Sequence, residues 1–358
     1  MIHEIIVVTC GLYNGGAERV ISELIEVWER RGYRVIIFQL NPYLYEDKYT
    51  ISKTVEIINA GKSISFFSRF HYAEKLVKLL RSHPNASVIS MLNYEHSIVA
   101  LCSPFIKNKI ILAERCDPTH WPAKASRRKI RNLLFHVAHV CIFQTQEAKS
   151  YFSHSIQSKG VIIPNPINPH LPAKYVGVKR KVIVAACRLT KQKNLPMLID
   201  SYSMLVKDYP EYVLEIYGRG EDEAFLREYI FKKNLEQTVL LKGFARDIYD
   251  IMNRCSMYVS TSDYEGISNS MLEAMALGLP VVVTDCPIGG ARMAIQDGIN
   301  GLLVPVGDVQ AMYRAMKRVI DEPGMAERLG NEAYKVRERF AIEKIAKQWL
   351  DVIEEGES

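Results

Sequence analysis

The stretch on which both the fold and the candidate site depend is Asp263-Tyr264-Glu265-Gly266-Ile267-Ser268-Asn269-Ser270-Met271-Leu272-Glu273-Ala274-Met275. A strand-like run, 256–260, precedes it, and apolar residues at helical spacing from Leu272 onward predict a helix that Gly278 ends. A loop that leads into a helix presents free backbone N–H groups and partial positive charge, which suit a phosphate. Carboxylates such as Glu265 and Glu273 accept hydrogen bonds from hydroxyls. The stretch therefore predicts a site for a ligand that combines phosphate with hydroxyls, as a nucleotide sugar does.

The same strand–loop–helix unit recurs along the chain and predicts an α/β fold. The 358 residues are more than a single core usually holds, so we expect two domains. Strands are predicted at 4–9, 35–40, 87–92, 110–113, 140–144, 181–186, 213–217, 239–242, 257–260 and 281–284. Helices are predicted at 17–31, 73–81, 123–136, 195–207, 221–233, 246–253, 269–277, 308–321 and 341–354. This alternation is typical of two Rossmann-like domains with parallel sheets.

Proline content predicts where the domains divide. Residues 161–177 contain four prolines, which is too many for the interior of a strand or a helix. We therefore assign residues 1–168 to an N-terminal domain and residues 169–340 to a C-terminal domain.

Composition is that of an ordinary soluble globular protein, with 48% hydrophobic and 24% charged residues. The N-terminus is acidic where a signal peptide is basic, and no window approaches the roughly 18 consecutive apolar residues of a membrane span. The seven cysteines form no CxxC pair or Cys/His cluster, which predicts reduced thiols in the cytoplasm.

Charge is distributed unevenly between the two halves. Residues 1–180 carry 24 Lys+Arg against 13 Asp+Glu, a net +11, whereas the remainder carries 22 against 27, a net −5. A basic first domain suggests an anionic partner, either a membrane surface or a polyphosphate, although excess charge that serves only solubility is an equal alternative. No nucleic-acid-binding motif accompanies the charge, so we expect no nucleic-acid partner.

Two further loops carry residues suited to a phosphorylated ligand. Gly15 and Gly16 follow the first predicted strand, where glycine permits close backbone approach, but they do not complete a dinucleotide fingerprint and a tight packing turn is the alternative. Arg188 and Lys193 follow a strand of the second domain and suit a diphosphate, although exposed basic residues are common in loops.

The two glutamates have unequal structural alternatives. Ser270 to Glu273 fits a capping box, in which Glu273 would only satisfy the start of the helix. Glu265 precedes Gly266 in a loop and has no evident structural role. It is therefore the stronger candidate for ligand binding.

At this point the chain resembles a known family, the retaining glycosyltransferases of family 4, essentially from end to end. The motifs that carry the resemblance are Asn14-Gly-Gly-Ala-Glu-Arg19, Arg188-Leu-Thr-Lys-Gln-Lys193-Asn, Gly218-Arg-Gly220, the Glu265 and Glu273 pair, and Asn300-Gly-Leu-Leu-Val-Pro305. The resemblance implies a GT-B fold, in which two Rossmann-like domains face each other across a deep cleft. It also implies that a final helix, 341–358, crosses back onto the first domain.

The resemblance implies roles at matching positions. Arg188 and Lys193 would neutralise the departing nucleotide diphosphate, and with Glu265 they are the predicted catalytic residues. Glu273 would accept hydrogen bonds from the ribose, and the backbone N–H groups beyond Gly266 would hold the sugar phosphate. The predicted donor-binding residues are Gly15, Gly16, Arg188, Lys193, Glu265, Gly266, Ile267, Ser268 and Glu273. The family usually needs no metal, so neither a metal nor another cofactor is expected.

Departures from the family pattern make the acceptor-side chemistry the least transferable part of the resemblance. Cys187 stands where members commonly have glycine, and Ala291 follows Gly289-Gly290 where many have proline. Glu114 and Arg115 occupy a position where many relatives carry histidine. Acceptor-side candidates are therefore assigned only as Asn93, Glu114 and Arg115.

The predicted helix 123–136 suggests contact with a membrane. Four basic residues and an aromatic one share a face that we expect to meet an anionic bilayer, and they are Lys124, Arg127, Arg128, Arg131 and Phe135. Ile130, Leu133, Leu134 and Val137 repeat the same spacing on a second, apolar face about 120° away. The aromatic segment 65–72 is a second candidate for the same surface. The alternative is a solvated basic face with the aromatic side chains buried.

These observations predict a retaining transferase that moves a hexose or N-acetylhexosamine from a UDP-sugar to a polyprenyl-diphosphate-linked glycan. We expect it on the inner face of the cell membrane, in the assembly of cell-surface polysaccharide or glycan. Two alternatives within enzymes are a soluble transferase with a small acceptor and a sugar-nucleotide epimerase. A non-catalytic subunit that binds sugar nucleotides is the alternative from another class.

Overall fold

The computed structural model describes residues 3–12, 15–41, 49, 51–61 and 68–355, which form two compact units. The first unit comprises Met1–Pro166 together with Ile342–Ser358, and the second comprises Ile167–Ala341. The division falls two residues before the boundary that the prolines predict. No helix in the described ranges is both long and apolar enough to cross a membrane.

The first unit is a seven-stranded parallel sheet with helices on both faces, in the order β3-β2-β1-β4-β5-β6-β7. Its strands are β1 Glu4–Thr9, β2 Arg34–Gln39, β3 Glu56–Asn59, β4 Ser87–Ser90, β5 Ile110–Ala113, β6 Val140–Phe143 and β7 Gly160–Ile162. Its first six helices are α1 Gly16–Arg30, α2 Ser68–Ser82, α3 Asn93–Cys102, α4 Ala125–Leu134, α5 Gln146–Ser150 and α6 His154–Gln157.

Alternation along the strands builds two cores in this unit. Ile5 and Val7 of β1 belong to the core beneath α1, whereas Ile6 and Val8 belong to the core on the other face. Because successive side chains of a strand point to opposite faces, a strand covered on both sides has to be apolar throughout. This is why short apolar runs such as β1 are visible in the sequence.

The second unit is a six-stranded parallel sheet in the order β10-β9-β8-β11-β12-β13. Its strands are β8 Arg180–Ala186, β9 Val213–Tyr217, β10 Val239–Gly243, β11 Cys255–Ser260, β12 Val281–Thr284 and β13 Leu302–Val304. Its helices are α7 Leu195–Asp208, α8 Glu223–Lys232, α9 Ile248–Asn253, α10 Asn269–Ala276, α11 Val309–Asp321, α12 Met325–Tyr334 and α13 Val336–Arg339. The two parallel-sheet, Rossmann-like units confirm the predicted fold class.

The closing helix, α14 Ile342–Glu354, belongs to the first unit. Its apolar stripe packs on α1, and the rings of Trp28 and Trp349 lie 6.1 Å apart between their centroids. At the edge of this contact, Glu343 receives hydrogen bonds of 2.9 Å from both Arg30 and Arg31. The first unit is therefore completed by the last part of the chain.

Helix α4 is turned away from its predicted orientation. Arg131 is 1% exposed and Phe135 is fully buried, whereas Ile130 and Leu133 of the apolar face are exposed. Predicting membrane contact for Arg131 and Phe135 was therefore wrong, because neither side chain reaches the surface. The other members of the predicted basic face differ from these two, since Lys124 and Arg127 are exposed and Arg128 is partly exposed.

The aromatic segment 65–72 is only partly covered by the structure. Residues 65–67 lie outside the described residues, Phe70 is exposed, and Tyr72 is 1% exposed within the core. Tyr72 is therefore a structural residue and does not contribute to a surface.

Candidate functional site

The candidate site of the second unit lies where its sheet changes direction. Strand β8 lies between β9 and β11, so the chain leaves β8 toward one edge of the sheet and returns through β11 toward the other. Such a point leaves a crevice beyond the carboxyl ends of the two central strands, where α/β proteins bind ligands. The loops that follow β8 and β11, residues 187–194 and 261–268, contain the predicted Lys193 and Glu265.

Glu265 is held by three polar side chains from these two loops. Lys193 forms an ion pair with its Oε1, Gln192 Nε2 donates to Oε2 at 3.2 Å, and Ser262 Oγ donates to Oε1 at 3.0 Å. The Lys193 and Glu265 side chains are 13% and 17% exposed. Burial alone would lower the pKa of Lys193, but the Glu265 carboxylate outweighs it and the pKa is raised. Lys193 therefore remains a cation at neutral pH.

Hydrogen bonds of both side chains and backbone fix the two loops against each other. Asn194 adopts a left-handed conformation with φ of 41° and caps α7, while its Nδ2 donates to Asp263 Oδ1 at 2.7 Å. In return, the N–H of Asp263 donates to the carbonyl of Gln192 at 2.9 Å. The hydroxyl of Thr261 donates to the carbonyl of Lys193 at 2.9 Å. The ion pair consequently rests on a preformed frame.

Two glycines allow neighbouring loops to pack closely on this frame. A Cβ added at Gly218 would lie 1.8 Å from the carbonyl oxygen of Cys187, and one added at Gly290 would lie 1.8 Å from that of Gly266. Gly218 belongs to a motif noted in the sequence, but the contact of Gly290 with the Glu265 loop was missed. A lone Gly-Gly pair gives no indication of which backbone it approaches.

Glu273 lies in the second turn of α10 and is 6% exposed. Its Oε1 accepts a hydrogen bond of 3.3 Å from the Tyr249 hydroxyl. The side chain of Ser268, rather than Ser270, caps the helix by accepting from the N–H of Met271 at 3.4 Å. The capping-box alternative for Glu273 was therefore wrong, since the cap lies two residues earlier.

The remaining residues predicted in this unit lie around the same loops. Arg188 is exposed just after β8. It lies close enough to Lys193 that its positive charge acts to lower the pKa of that lysine. A small pocket beside Glu265 is lined by Ser260, Ser262, Gly266, Ser268 and Thr284, among others. Ile267 is buried at the start of α10.

In the first unit, Gly15 and Gly16 open α1. Gly15 is the N-cap residue, and its carbonyl accepts from the Tyr49 hydroxyl at 3.3 Å, whereas Gly16 is exposed as the first helical residue. Asn14, the first residue of the corresponding motif, lies outside the described residues. The loop thus combines a helix start with an exposed glycine, as a site for close ligand approach requires.

The acceptor-side candidates Glu114 and Arg115 follow β5 but are buried in contacts within the protein. Glu114 Oε2 accepts from Arg131 Nη1 at 2.5 Å, and burial raises the pKa of the Glu114 carboxyl. Arg115 donates to the carbonyl of Ile163 at 3.2 Å and to the side chain of Asn165, and burial lowers its pKa to about 10. Both side chains are engaged in holding neighbouring segments.

Asn93 and Glu95, at the start of α3, are placed differently. They lie beside the carboxyl ends of β1 and β4, where the first sheet changes direction. Glu95 is 1% exposed, and its Oε1 accepts from the N–H of Cys10 at 2.8 Å. Asn93 Oδ1 and Glu95 Oε2 have no hydrogen-bond partner among the described residues. Sequence reasoning missed Glu95, because a helical glutamate usually lies on a solvated face.

No group of three or more His, Cys, Asp or Glu side chains in the described part of the chain is arranged to hold a metal ion.

Residues 171–336 match the family described as glycosyl transferases group 1. The matched range covers most of the second unit, including the loops that carry Lys193, Glu265 and Glu273. It is slightly less than half of the chain.

Curated relatives extend the similarity along the chain. An amylovoran biosynthesis glycosyltransferase of Erwinia amylovora is 24% identical over 98% of this chain and 99% of its own length. An N-acetylgalactosamine-N,N'-diacetylbacillosaminyl-diphospho-undecaprenol 4-alpha-N-acetylgalactosaminyltransferase of Campylobacter jejuni is 27% identical over 95% of this chain and 96% of its own. The GtfA subunit of a peptide N-acetylglucosaminyltransferase of Streptococcus pneumoniae is 30% identical, but the match spans 60% of this chain and 43% of that protein.

Solved structures show the same fold. HepE of Anabaena, in complex with UDP and glucose, aligns with a TM-score of 0.83 at 18% identity and covers 98% of this chain and 99% of that one. The chain therefore has the two-domain GT-B fold. Its second unit matches group 1 glycosyl transferases, and this match supports the assignment of the chain as a glycosyltransferase.

Proposed function

We propose that the protein is a retaining glycosyltransferase of family 4 that transfers a hexose or N-acetylhexosamine from a UDP-sugar to a polyprenyl-diphosphate-linked glycan. The observation that carries the proposal is the Lys193–Glu265 pair at the direction change of the second sheet, within the range that matches group 1 glycosyl transferases. A cationic side chain beside a carboxylate that accepts hydrogen bonds suits a ligand that has both a diphosphate and sugar hydroxyls.

Each predicted residue receives a role in donor binding. Lys193 and Arg188 stabilise the charge that develops on the leaving diphosphate. Glu265 accepts hydrogen bonds from the donor sugar, and the backbone N–H groups at the start of α10 hold its phosphate. Glu273, already within reach of a hydroxyl from Tyr249, accepts from the ribose. The loop at Gly15 and Gly16 serves the sugar from the first unit.

The reaction proceeds on one face of the sugar. The bond from the anomeric carbon to the phosphate oxygen breaks while a bond to the acceptor hydroxyl oxygen forms on the same side. The acceptor proton moves to the departing phosphate, so that the products are the glycoside and UDP. Arg188 and Lys193 supply two cationic side chains for the diphosphate, and on this basis we propose that no metal is required.

The choice of donor and acceptor rests on relatives. HepE is described as a complex with UDP and glucose, which favours a UDP-linked donor. The Campylobacter relative is named for a diphospho-undecaprenol substrate, and the Erwinia relative for amylovoran biosynthesis. An acceptor of this kind has its lipid in a bilayer, so we propose that the protein acts peripherally on the cytoplasmic face of the cell membrane. Seven free cysteines accord with that reducing compartment.

Kinetics of two variants test the assignment. We expect Lys193→Ala and Glu265→Ala to reduce sugar transfer into the lipid fraction of membranes on the order of 10²–10³-fold, as for other preorganised electrostatic groups. UDP should raise the melting temperature of the wild type and should raise that of Lys193→Ala less. Lys191→Ala is the matched control, because Lys191 is exposed in the same turn.

Near-wild-type transfer by both variants would overturn the proposal. Inhibition of the wild type by EDTA would overturn the proposal that transfer requires no metal. Transfer to a water-soluble saccharide alone would favour a soluble transferase, and conversion of the UDP-sugar without an acceptor would favour an epimerase. UDP binding without any turnover would favour a non-catalytic subunit.

A further inference from the structure

Helix α4 presents apolar side chains to solvent. Leu133 is 69% exposed and Ile130 58% exposed, and Trp121, in the loop before the helix, is 46% exposed. At 100° per residue, Ile130 and Leu133 lie close together near the middle of the exposed arc. Lys129 borders this arc on one side and Arg127 on the other. The outward face is thus an apolar strip with one basic side chain on each side.

A buried arginine holds this face outward. On the opposite side of α4, Arg131 donates to Glu114 at 2.5 Å, to the carbonyl of Pro118 at 2.8 Å and to the carbonyl of Trp121 at 3.0 Å. These bonds anchor both the helix and the preceding loop to the body of the unit. Exposure of the strip is therefore a fixed property of the fold.

Charge around the strip is of one sign. Between Asp117 and Glu147 the chain contains five Lys or Arg residues and no Asp or Glu. The whole first unit is less basic than residues 1–180, with 23 Lys+Arg against 18 Asp+Glu, a net +5, because it gains the acidic segment 342–358 and lacks the three basic residues of 167–180. The positive charge is thus local to this segment and complements an anionic surface.

We propose that the docking strip, defined as Trp121, Lys124, Arg127, Lys129, Ile130 and Leu133, lies in the headgroup region of an anionic bilayer. The apolar side chains enter the boundary of the acyl chains, Trp121 takes the interfacial position that indoles favour, and the basic side chains meet lipid phosphates. This inference rests on the proposed function, which requires a membrane-borne acceptor, and specifies how the bilayer is engaged.

Vesicle flotation tests the strip with two sets of variants. The wild type is expected to float with vesicles of phosphatidylglycerol and phosphatidylethanolamine, and less with phosphatidylcholine alone. We expect Ile130→Ser with Leu133→Ser to weaken binding at least about tenfold, since two large apolar side chains no longer enter the interface. Lys124→Gln with Arg127→Gln and Lys129→Gln should weaken it and remove most of its salt dependence.

A matched control comes from the second unit. Phe225 and Phe231 of α8 are 52% and 67% exposed, so Phe225→Ser with Phe231→Ser removes comparable exposed apolar side chains and leaves the residues of the strip unchanged. This variant should float like the wild type. Unchanged flotation of the Ile130/Leu133 variant would overturn the proposal. So would a wild-type dimer that this variant dissociates, because the strip would then bind a second copy of the chain.

These experiments distinguish a failure of the docking proposal from a failure of the proposed function. The stabilisation of the protein by UDP in solution should be the same in the wild type and in both sets of docking variants. Loss of flotation with intact UDP stabilisation supports the strip. A wild type that floats but gains no stability from UDP would refute the proposed function and leave the docking strip standing.

Discussion

Glu23, in the second turn of α1, is a carboxyl that the fold keeps close to neutral. Its side chain is 10% exposed and lies 3.6 Å from Arg19. Burial raises the pKa of the Glu23 carboxyl to about 7 from its ordinary value of 4.5, against the opposing effect of Arg19 and with a smaller contribution from Glu26. Between these two pH values the folded protein holds a proton that the unfolded chain has released.

The free energy of unfolding should therefore fall as pH rises from 4.5 to about 7, because the native state binds more protons in that interval. Replacing Glu23 by Gln removes the titrating group. We expect the variant to match the wild type at the acidic end and to exceed it by about 3 kcal/mol above the window. Urea unfolding across this range checks the prediction, and parallel profiles for the two proteins would contradict it.

Residue spacing in α4 predicted two faces but not which one is inside. Helical periodicity separates Ile130 from Arg131 equally well in either orientation. The decision depends on Glu114, which lies 17 positions earlier in sequence and offers Arg131 a buried partner. Burial of a guanidinium is tolerated when it is paired and hydrogen-bonded. No local pattern contains that information.

Other residues were predictable because their position follows from topology. Lys193 and Glu265 each follow an apolar strand, and parallel strands bring their carboxyl ends to one edge of the sheet. Gln192 and Ser262, which complete the contacts of Glu265, have no comparable signal. Polar residues in loops are common, and only the folded loops show which of them converge.

At the level of elements, the loop after β12 supports the loop that carries Glu265. Gly290 lies so close to the carbonyl of Gly266 that a methyl group cannot be placed without moving one backbone. We expect Gly290→Ala to lower the free energy of unfolding by about 1–3 kcal/mol, as overpacking usually does. Because the displaced segment leads into α10, the variant should also lose most of its stabilisation by UDP.

Thermal unfolding with and without UDP measures both effects of Gly290→Ala. Pro287→Ala, at an exposed position of the same loop, is the control and should change neither quantity appreciably. A Gly290→Ala protein that UDP stabilises like the wild type would show that the two loops are not coupled.

Element recognition succeeded where the apolar run was long and failed where it was short. The run that became β1 is buried over five consecutive residues, whereas β3 has three exposed residues out of four. Strands β7 and β13 have three residues each and pair at the sheet edges. Edge strands can be this short, and their neighbours determine them more than their own sequence does.

At the level of the whole molecule, α14 stabilises a unit from which it is separated in sequence. Trp349 is fully buried against α1. We expect Trp349→Ala to lower the free energy of unfolding of the first unit by about 3–5 kcal/mol. Trp121→Ala, at an exposed position of the same unit, should have little effect.

The three tryptophans make this prediction measurable. Trp28, Trp121 and Trp349 all lie in the first unit, so fluorescence excited selectively at tryptophan reports on the unfolding of that unit. In the Trp349→Ala protein, the fluorescence transition should move to lower denaturant while stabilisation by UDP persists. If the Trp349→Ala protein instead unfolds in a single transition at lower denaturant and also loses UDP binding, the second unit does not behave independently of the first.

The sequence predicted α14 as an amphipathic helix, but its partner followed only from the family resemblance. An apolar stripe shows that a helix must be covered and does not show by what. The partner is set by α1, more than 300 positions earlier, where Arg30 and Arg31 meet Glu343.

The origin of the first unit from both ends of the chain also has a consequence for synthesis on the ribosome. Residues 167–341 form one uninterrupted stretch of the chain, and they are translated after α1 and before α14. The side of α1 that α14 covers stays exposed until α14 has been translated. We expect chaperones to bind the nascent chain through its earliest residues, and the second unit to be the first to complete its fold.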